Sequence, residues 1–156
     1  MKQFLLFFLV AIFALFIGGQ ITEAVLLVPY WQSLSASDFY VYYNQFGKII
    51  GQYFTVLTII SALIPVIFSV YCMFVNYKAL KFALVSTVFA ILFISSFYVY
   101  FKGVNDLFFQ AAFNEVELKN ELIIWSYWHW GRIVLECLSL IFLILAFIKI
   151  QKTNFN

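Results

Sequence analysis

Four residues in the last apolar stretch of the chain, Trp125, His129, Arg132 and Glu136, recur at intervals of four, three and four. At about 100° per residue, this spacing gathers them within roughly 60° of one helical face. Toward the other end of the chain, Gln20 and Glu23 stand three residues apart, again on one face of an apolar segment. A charged side chain in hydrocarbon is costly unless paired or hydrated, so the two polar faces are expected to meet inside a bundle. Two carboxylates, Glu23 and Glu136, then share the space with one fixed cation, Arg132. The surplus calls for a protonated carboxyl group, a charged His129 or access to water. A site with an odd proton is what proton-transfer catalysis or a proton-coupled pathway requires. A merely structural salt-bridge cluster has the same composition.

Each of these residues also has a plainer reading. Arg132 and Glu136 at i,i+4 are placed to form an ion pair that locks helices together, and Glu23 reaching Arg132 would be a contact of the same kind. His129, between Trp128 and Trp130, suits an interfacial histidine snorkelling to water. Glu23, His129 and Glu136 are acceptable metal ligands by type, but the cation Arg132 among them argues against a metal site. His129 is the only histidine, which excludes haem held by two of them. Cys72 and Cys137 lie far apart in separate apolar segments and form no C-x-x-C pair. They read as small buried hydrophobes rather than as a redox couple or a zinc site. No cofactor is implied.

The elements that must position these groups follow from composition. Of the 156 residues, 65% are hydrophobic, 22% aromatic and only 10% charged, against roughly 25% charged in soluble domains. A soluble fold of this size could not hide that much apolar surface, so the solvent for most of it is a lipid bilayer. The net charge of +2, with no basic stripe interleaved with aromatics, gives no sign of nucleic-acid binding. Crossing about 30 Å of hydrocarbon takes roughly 20 apolar residues, and four stretches qualify: about 4–28, 53–75, 79–100 and 128–148. The fold class expected is an all-α, integral membrane four-helix bundle forming a single domain. Only Asn76, Tyr77 and Lys78 separate the second and third spans, which makes them an antiparallel hairpin.

Charge placement orients the bundle. Lys2, Lys78, Lys81, Lys149 and Lys152 fall on one side of four spans, whereas Asp38, Asp106, Glu115, Glu117 and Glu121 fall in the two longer connections. By the positive-inside rule the lysine side is cytoplasmic, and both termini with it, in a cytoplasmic (inner) membrane. Trp31, Trp125, Trp128 and Trp130, with Tyr30, Tyr40, Tyr42 and Tyr43, then lie at the outer interface. The first segment also resembles a signal peptide. It lacks an A-x-A-like site, however, and its apolar character resumes at residues 24–28, so it is read as a retained span. Between Ser33 and Gly51 the chain is polar and aromatic; Ser37 and Asp38 are candidate N-caps, and a short extra helix is expected in this first outer loop. Gly47 and Gly51 make a G-x-x-x-G outside any apolar 20-mer, where the motif carries little meaning. Pro65 is expected to kink the second span and open a cavity beside it.

Two stretches resemble a known family. Gly19-Gln20-Ile21-Thr22-Glu23-Ala24 followed by Val28-Pro29-Tyr30-Trp31 is similar to the first span of the anthrone-oxygenase-like family. These are small four-helix membrane proteins, mostly of unknown function. Asn105, then Trp125, Trp128, His129 and Arg132, is similar to that family's N…W…H..R pattern, and order, spacing and layout agree over nearly the whole chain. One departure is that the family's P-[IV]-N is here Gly103-Val104-Asn105. The resemblance implies oxidation of an anthrone to an anthraquinone by molecular oxygen, without an evident metal or flavin. It implies His129 as the base, Arg132 and Asn105 as stabilisers of an oxyanion, and Trp31 and Trp125 as walls of an aromatic pocket.

Together these readings predict a polar pocket near the outer leaflet, between the first and last helices, that takes a small hydrophobic, aromatic or quinone-like molecule. Its catalytic residues would be His129, Arg132 and Asn105, and its ligand-binding residues Glu23, Trp31, Trp125 and Glu136. The alternative is a non-enzymatic accessory subunit or assembly factor of a larger membrane protein complex, since the sequence shows no nucleotide motif, metal cluster or redox cysteines and almost no soluble domain. A proton-coupled transporter would require discontinuous helices or an internal repeat, and neither is visible.

Overall fold

The computed structural model of the chain describes residues 2–153; the side chains of residues 2, 3, 5, 6, 152 and 153 lie outside that description, and with them two of the orienting lysines, Lys2 and Lys152. Helix α1 (Lys2–Thr22) runs through a π-helical stretch, Glu23–Leu27, into α2 (Val28–Ser33). Helix α3 (Ala36–Val75) follows, then α4 (Tyr77–Ser96), a second π-helical stretch (Phe97–Phe101), α5 (Lys102–Phe109) and α6 (Glu115–Thr153). No strand occurs among the described residues. The result is four continuous rods, each long and apolar enough to cross a membrane. Leu15, Ile67, Met73, Phe74 and Val99 are among the large apolar side chains more than half exposed on their outer surfaces. Acyl chains tolerate such a surface and water does not. The protein is an all-α four-helix bundle that spans the membrane several times.

The breaks between rods are brief, and side chains specify each one. Leu34 and Ser35 are extended, and the Ser35 hydroxyl accepts from the Asp38 N–H at 3.2 Å, so Ser35 is the N-cap of α3 rather than Ser37 or Asp38. Glu115 reaches across to accept the Ala36 N–H at 2.6 Å, placing a carboxylate at the positive end of α3. Asn76 alone separates α3 from α4, its side chain accepting from the N–H groups of Lys78 and Ala79. Before α6, Asn114 and Glu117 form a reciprocal capping box: Asn114 Oδ1 accepts the Glu117 N–H, and Glu117 Oε2 accepts the Asn114 N–H. Helix α5 ends in a Schellman arrangement, with Ala112 N–H donating to Leu107 O and Ala111 N–H to Phe108 O. Its left-handed position is held by Ala111, at φ 51°.

The rods are longer than the spans expected from hydropathy. At about 1.5 Å per residue, the 40 residues of α3 extend roughly 60 Å, twice the hydrocarbon thickness. The short separate helix expected within 33–51 is therefore corrected: those residues are the opening turns of α3, because nothing between Asp38 and Tyr53 stops a helix. Gly47 continues it and lets α5 approach closely, since a Cβ there would meet the Tyr43 ring at 3.2 Å and Phe109 at 3.3 Å. The 101–127 connection is likewise mostly helix. Helix α3 also runs unbroken through Pro65.

Two buried clusters result. Near the Asn76 hairpin, Phe13, Phe68, Leu143 and Phe147 pack around Ala79, Ala83 and Ala146, with Cys72 fully buried among them. Small residues on α4 and α6 let those helices approach closely, as membrane interfaces favour. At the opposite end, Trp31, Phe39, Tyr43, Phe101, Phe108 and Trp125 form an aromatic cluster with Leu118 and Leu122. Trp31, Tyr43 and Trp125 thus belong to a core rather than to an interfacial belt, whereas Trp128 and Trp130 remain 39% and 42% exposed. Cys137 is only half-buried, unlike Cys72.

Candidate functional site

Between the two clusters lies a polar layer. Gln20 and Glu23 enter it from α1 and the first π-helical stretch; His129, Arg132 and Glu136 enter from α6, and all five are more than nine-tenths buried. The two faces read from the sequence do converge. A π-helical turn carries one residue more than an α-turn and re-aims the side chains that follow, and such turns recur at functional sites. Here the first begins at Glu23 and the second supplies Phe97 and Phe101, and all three line the same cavity.

That cavity has a volume of about 220 Å³. Its polar wall is Glu23, Asn105 and Arg132, with Trp31, Tyr43 and Trp125 above them. Phe93, Phe97 and Phe101 close one side, and α3 closes the other from Gly47 to Ile59. Ile59 and Tyr98, both on the lining, are 53% and 69% exposed on the outside of the bundle. The opening therefore faces sideways, between α3 and the second π-helical stretch, toward lipid. It lies above Pro65 rather than beside it, so the proline is not what makes the space.

Arg132 has no ion-pair partner within 4 Å and no hydrogen bond among the described residues. Its guanidinium lies between two aromatic faces, 4.6 Å from the Phe93 centroid and 4.7 Å from that of Phe101. The expected Arg132–Glu136 and Arg132–Glu23 ion pairs are thus replaced by a double cation–π contact, which holds the cation through its faces and leaves its N–H donors uncommitted. Glu23 approaches His129 instead, Oε2 to Nε2 at 3.7 Å. His129 Nε2–H donates to the Gln20 carbonyl at 2.9 Å, since a carbonyl can only accept, and the ring stacks on Trp125 at 4.9 Å. Its solvent exposure is 0%, so it does not snorkel; the surrounding helices bury it because its one bonded nitrogen is satisfied internally.

Asn105 lies on α5 rather than in a loop. A proline at position 103 would remove an N–H from the helical ladder, so Gly103 suits a helix that continues from the second π-helical stretch. Asn105 Oδ1 accepts from Trp125 Nε1 at 3.2 Å, which orients the carboxamide and fixes the indole.

Of the residues singled out in the sequence, Glu23, Trp31, Asn105, Trp125 and Arg132 line the cavity, whereas His129 and Glu136 stand behind it. Among the described residues, seven buried polar atoms lack a hydrogen-bond partner: both of the Gln20 carboxamide, both Glu136 oxygens, Trp31 Nε1, His129 Nδ1 and Arg132 Nε. Native interiors rarely leave such groups unpaired, and clusters of them mark sites. No three His, Cys, Asp or Glu side chains converge as metal ligands among the described residues. Tyr43, Phe93, Phe97 and Phe101 were not anticipated. The three phenylalanines repeat every four residues, a helical stripe that does not stand out in a chain with 21 phenylalanines. No protein-family model, curated protein or solved structure matches the chain.

Proposed function

We propose that the cavity binds a small hydrophobic molecule, aromatic or quinone-like, that carries at least one polar oxygen and enters sideways from the bilayer. The observation that carries this reading is Arg132, a buried cation with uncommitted donors, lining the same cavity as Glu23 among aromatic rings. Arg132 and the Asn105 carboxamide would hold the ligand oxygen; the rings of Trp31, Trp125, Phe93 and Phe101 would hold its carbon frame.

The reaction that suits these groups is the cofactor-independent oxygenation implied by the resemblance to the anthrone-oxygenase-like family. Glu23 takes a proton from an acidified C–H or O–H of the ligand. Arg132 and Asn105 stabilise the oxyanion that forms. The carbanion form of the ligand is then oxidised by molecular oxygen: a methylene gains a C–O bond and ends as a carbonyl, and the second oxygen atom leaves as water. In this reading His129 is a positioning residue that acts through Glu23, and Glu136 sets the charge beneath Arg132. The lysine-bearing end of the bundle is cytoplasmic by the positive-inside rule, which puts the cavity near the outer leaflet.

Native mass spectrometry of the purified full-length protein, extracted in mild detergent, tests the reading. A bound aromatic molecule is expected on the wild type and lost from Arg132→Ala and Glu23→Gln. Unchanged ligand retention in both variants would sink it. A stoichiometric protein partner in place of the small molecule would favour the accessory-subunit reading.

A further inference from the structure

At the opposite end of the molecule, a groove of about 360 Å³ runs between the start of α4 and the last turns of α6. Tyr77, Lys78, Leu80, Lys81, Leu84 and Lys149 line it, so three ammonium groups surround an apolar floor. Lys78, Lys81 and Lys149 are all exposed. Lys81 also lies over the Phe82 ring at 4.9 Å. The Asn76 side chain already accepts from the N–H groups of Lys78 and Ala79. The polar recognition elements of the groove are therefore its ammonium groups rather than the helix terminus. None of the chain's seven acidic residues lies in segments 71–90 or 140–153.

We infer that this groove is a binding site for the headgroup of an anionic glycerophospholipid. The lysines lie at the membrane boundary, where Tyr77 is 84% exposed and Leu84 47% exposed. Basic pockets between membrane helices on that face take phosphorylated headgroups. Leu80 and Leu84 continue from the lysines toward the middle of α4, giving an acyl chain a surface to follow. A free phosphate would use the ammonium groups and leave those leucines without a role. The inference is independent of the aromatic cavity, since no residue is shared between them.

The test uses the full-length protein equilibrated in vesicles containing equal parts of phosphatidylglycerol and phosphatidylcholine, with the lipids it retains measured by native mass spectrometry. Phosphatidylglycerol is expected to be enriched on the wild type. K81Q alone should reduce that enrichment about fivefold, the worth of one cationic side chain at an anionic surface. The combined K78Q/K81Q/K149Q variant should abolish it, and K78R/K81R/K149R should keep it. K102Q, at the other end of the bundle, should change nothing. Equal retention of the two lipids by the wild type overturns the inference without requiring any variant to fold. So does unchanged enrichment in K81Q, an equal loss in K102Q, or displacement of the lipid by inorganic phosphate.

Discussion

Near the Asn76 hairpin, Ser86 and Ser139 donate to each other's backbone carbonyls at 2.7 and 3.0 Å, and Ser69 meets Thr87 at 2.9 Å. Those polar groups are short, neutral and partnered. One to three turns closer to the start of α6, Glu136, Arg132 and His129 are long and ionisable, and each retains at least one buried atom without a partner. Both regions bury polarity in a membrane. The first uses it to hold helices together, as interhelical hydroxyls do. The second keeps it unsatisfied beside a cavity, at a cost to stability that packing alone gives no reason to sustain. The contrast separates a scaffold from a candidate site within a single bundle.

The sharpest way to break this comparison is to damage the scaffold. Phe68 and Phe147 meet edge to face at 4.2 Å in the hairpin-side cluster. Phe68→Ala should cost about 3–5 kcal/mol of folding stability and leave ligand retention per folded molecule unchanged, as measured by detergent-titrated unfolding alongside native mass spectrometry. The opposite pattern is expected in the polar layer. Arg132→Met should weaken ligand binding by roughly 10- to 100-fold, the worth of charge-assisted hydrogen bonds. It should not lower the unfolding midpoint, because removing a buried charge relieves desolvation. If Arg132→Met instead destabilised the fold as much as Phe68→Ala does, the polar layer would be scaffold after all.

Smaller effects sharpen the boundary. Asn105→Ala frees the Trp125 indole and should cost about 1 kcal/mol in ligand affinity, with a red shift in tryptophan emission if the ring loosens. Ala111→Gly removes the left-handed strain after α5 and should raise stability by about 0.5–1 kcal/mol with no change at the cavity. Ser86→Ala should be the mildest, at about 0.6 kcal/mol, typical of hydrogen bonds between membrane helices.

The amino-acid sequence alone determined that this is a four-span helical membrane protein, because stretches of some 20 apolar residues have no other solvent and satisfy their backbones as helices. It also determined that Gln20 and Glu23 would share a depth with His129, Arg132 and Glu136, since helical periodicity and the cost of charge in lipid require it. It did not determine the pairing within that layer. Whether Arg132 meets a carboxylate or two phenylalanines depends on how α4 presents Phe93 and the second π-helical stretch presents Phe101, and no local pattern encodes that. The extension of α3 and α6 beyond the bilayer was hidden for a related reason: polar and aromatic residues form helix readily, but hydropathy registers only the part that lipid covers. Only the tertiary structure decided that Glu23 lines the cavity while His129 stands behind it, because which side of each polar face meets the cavity depends on how helices distant in sequence pack together.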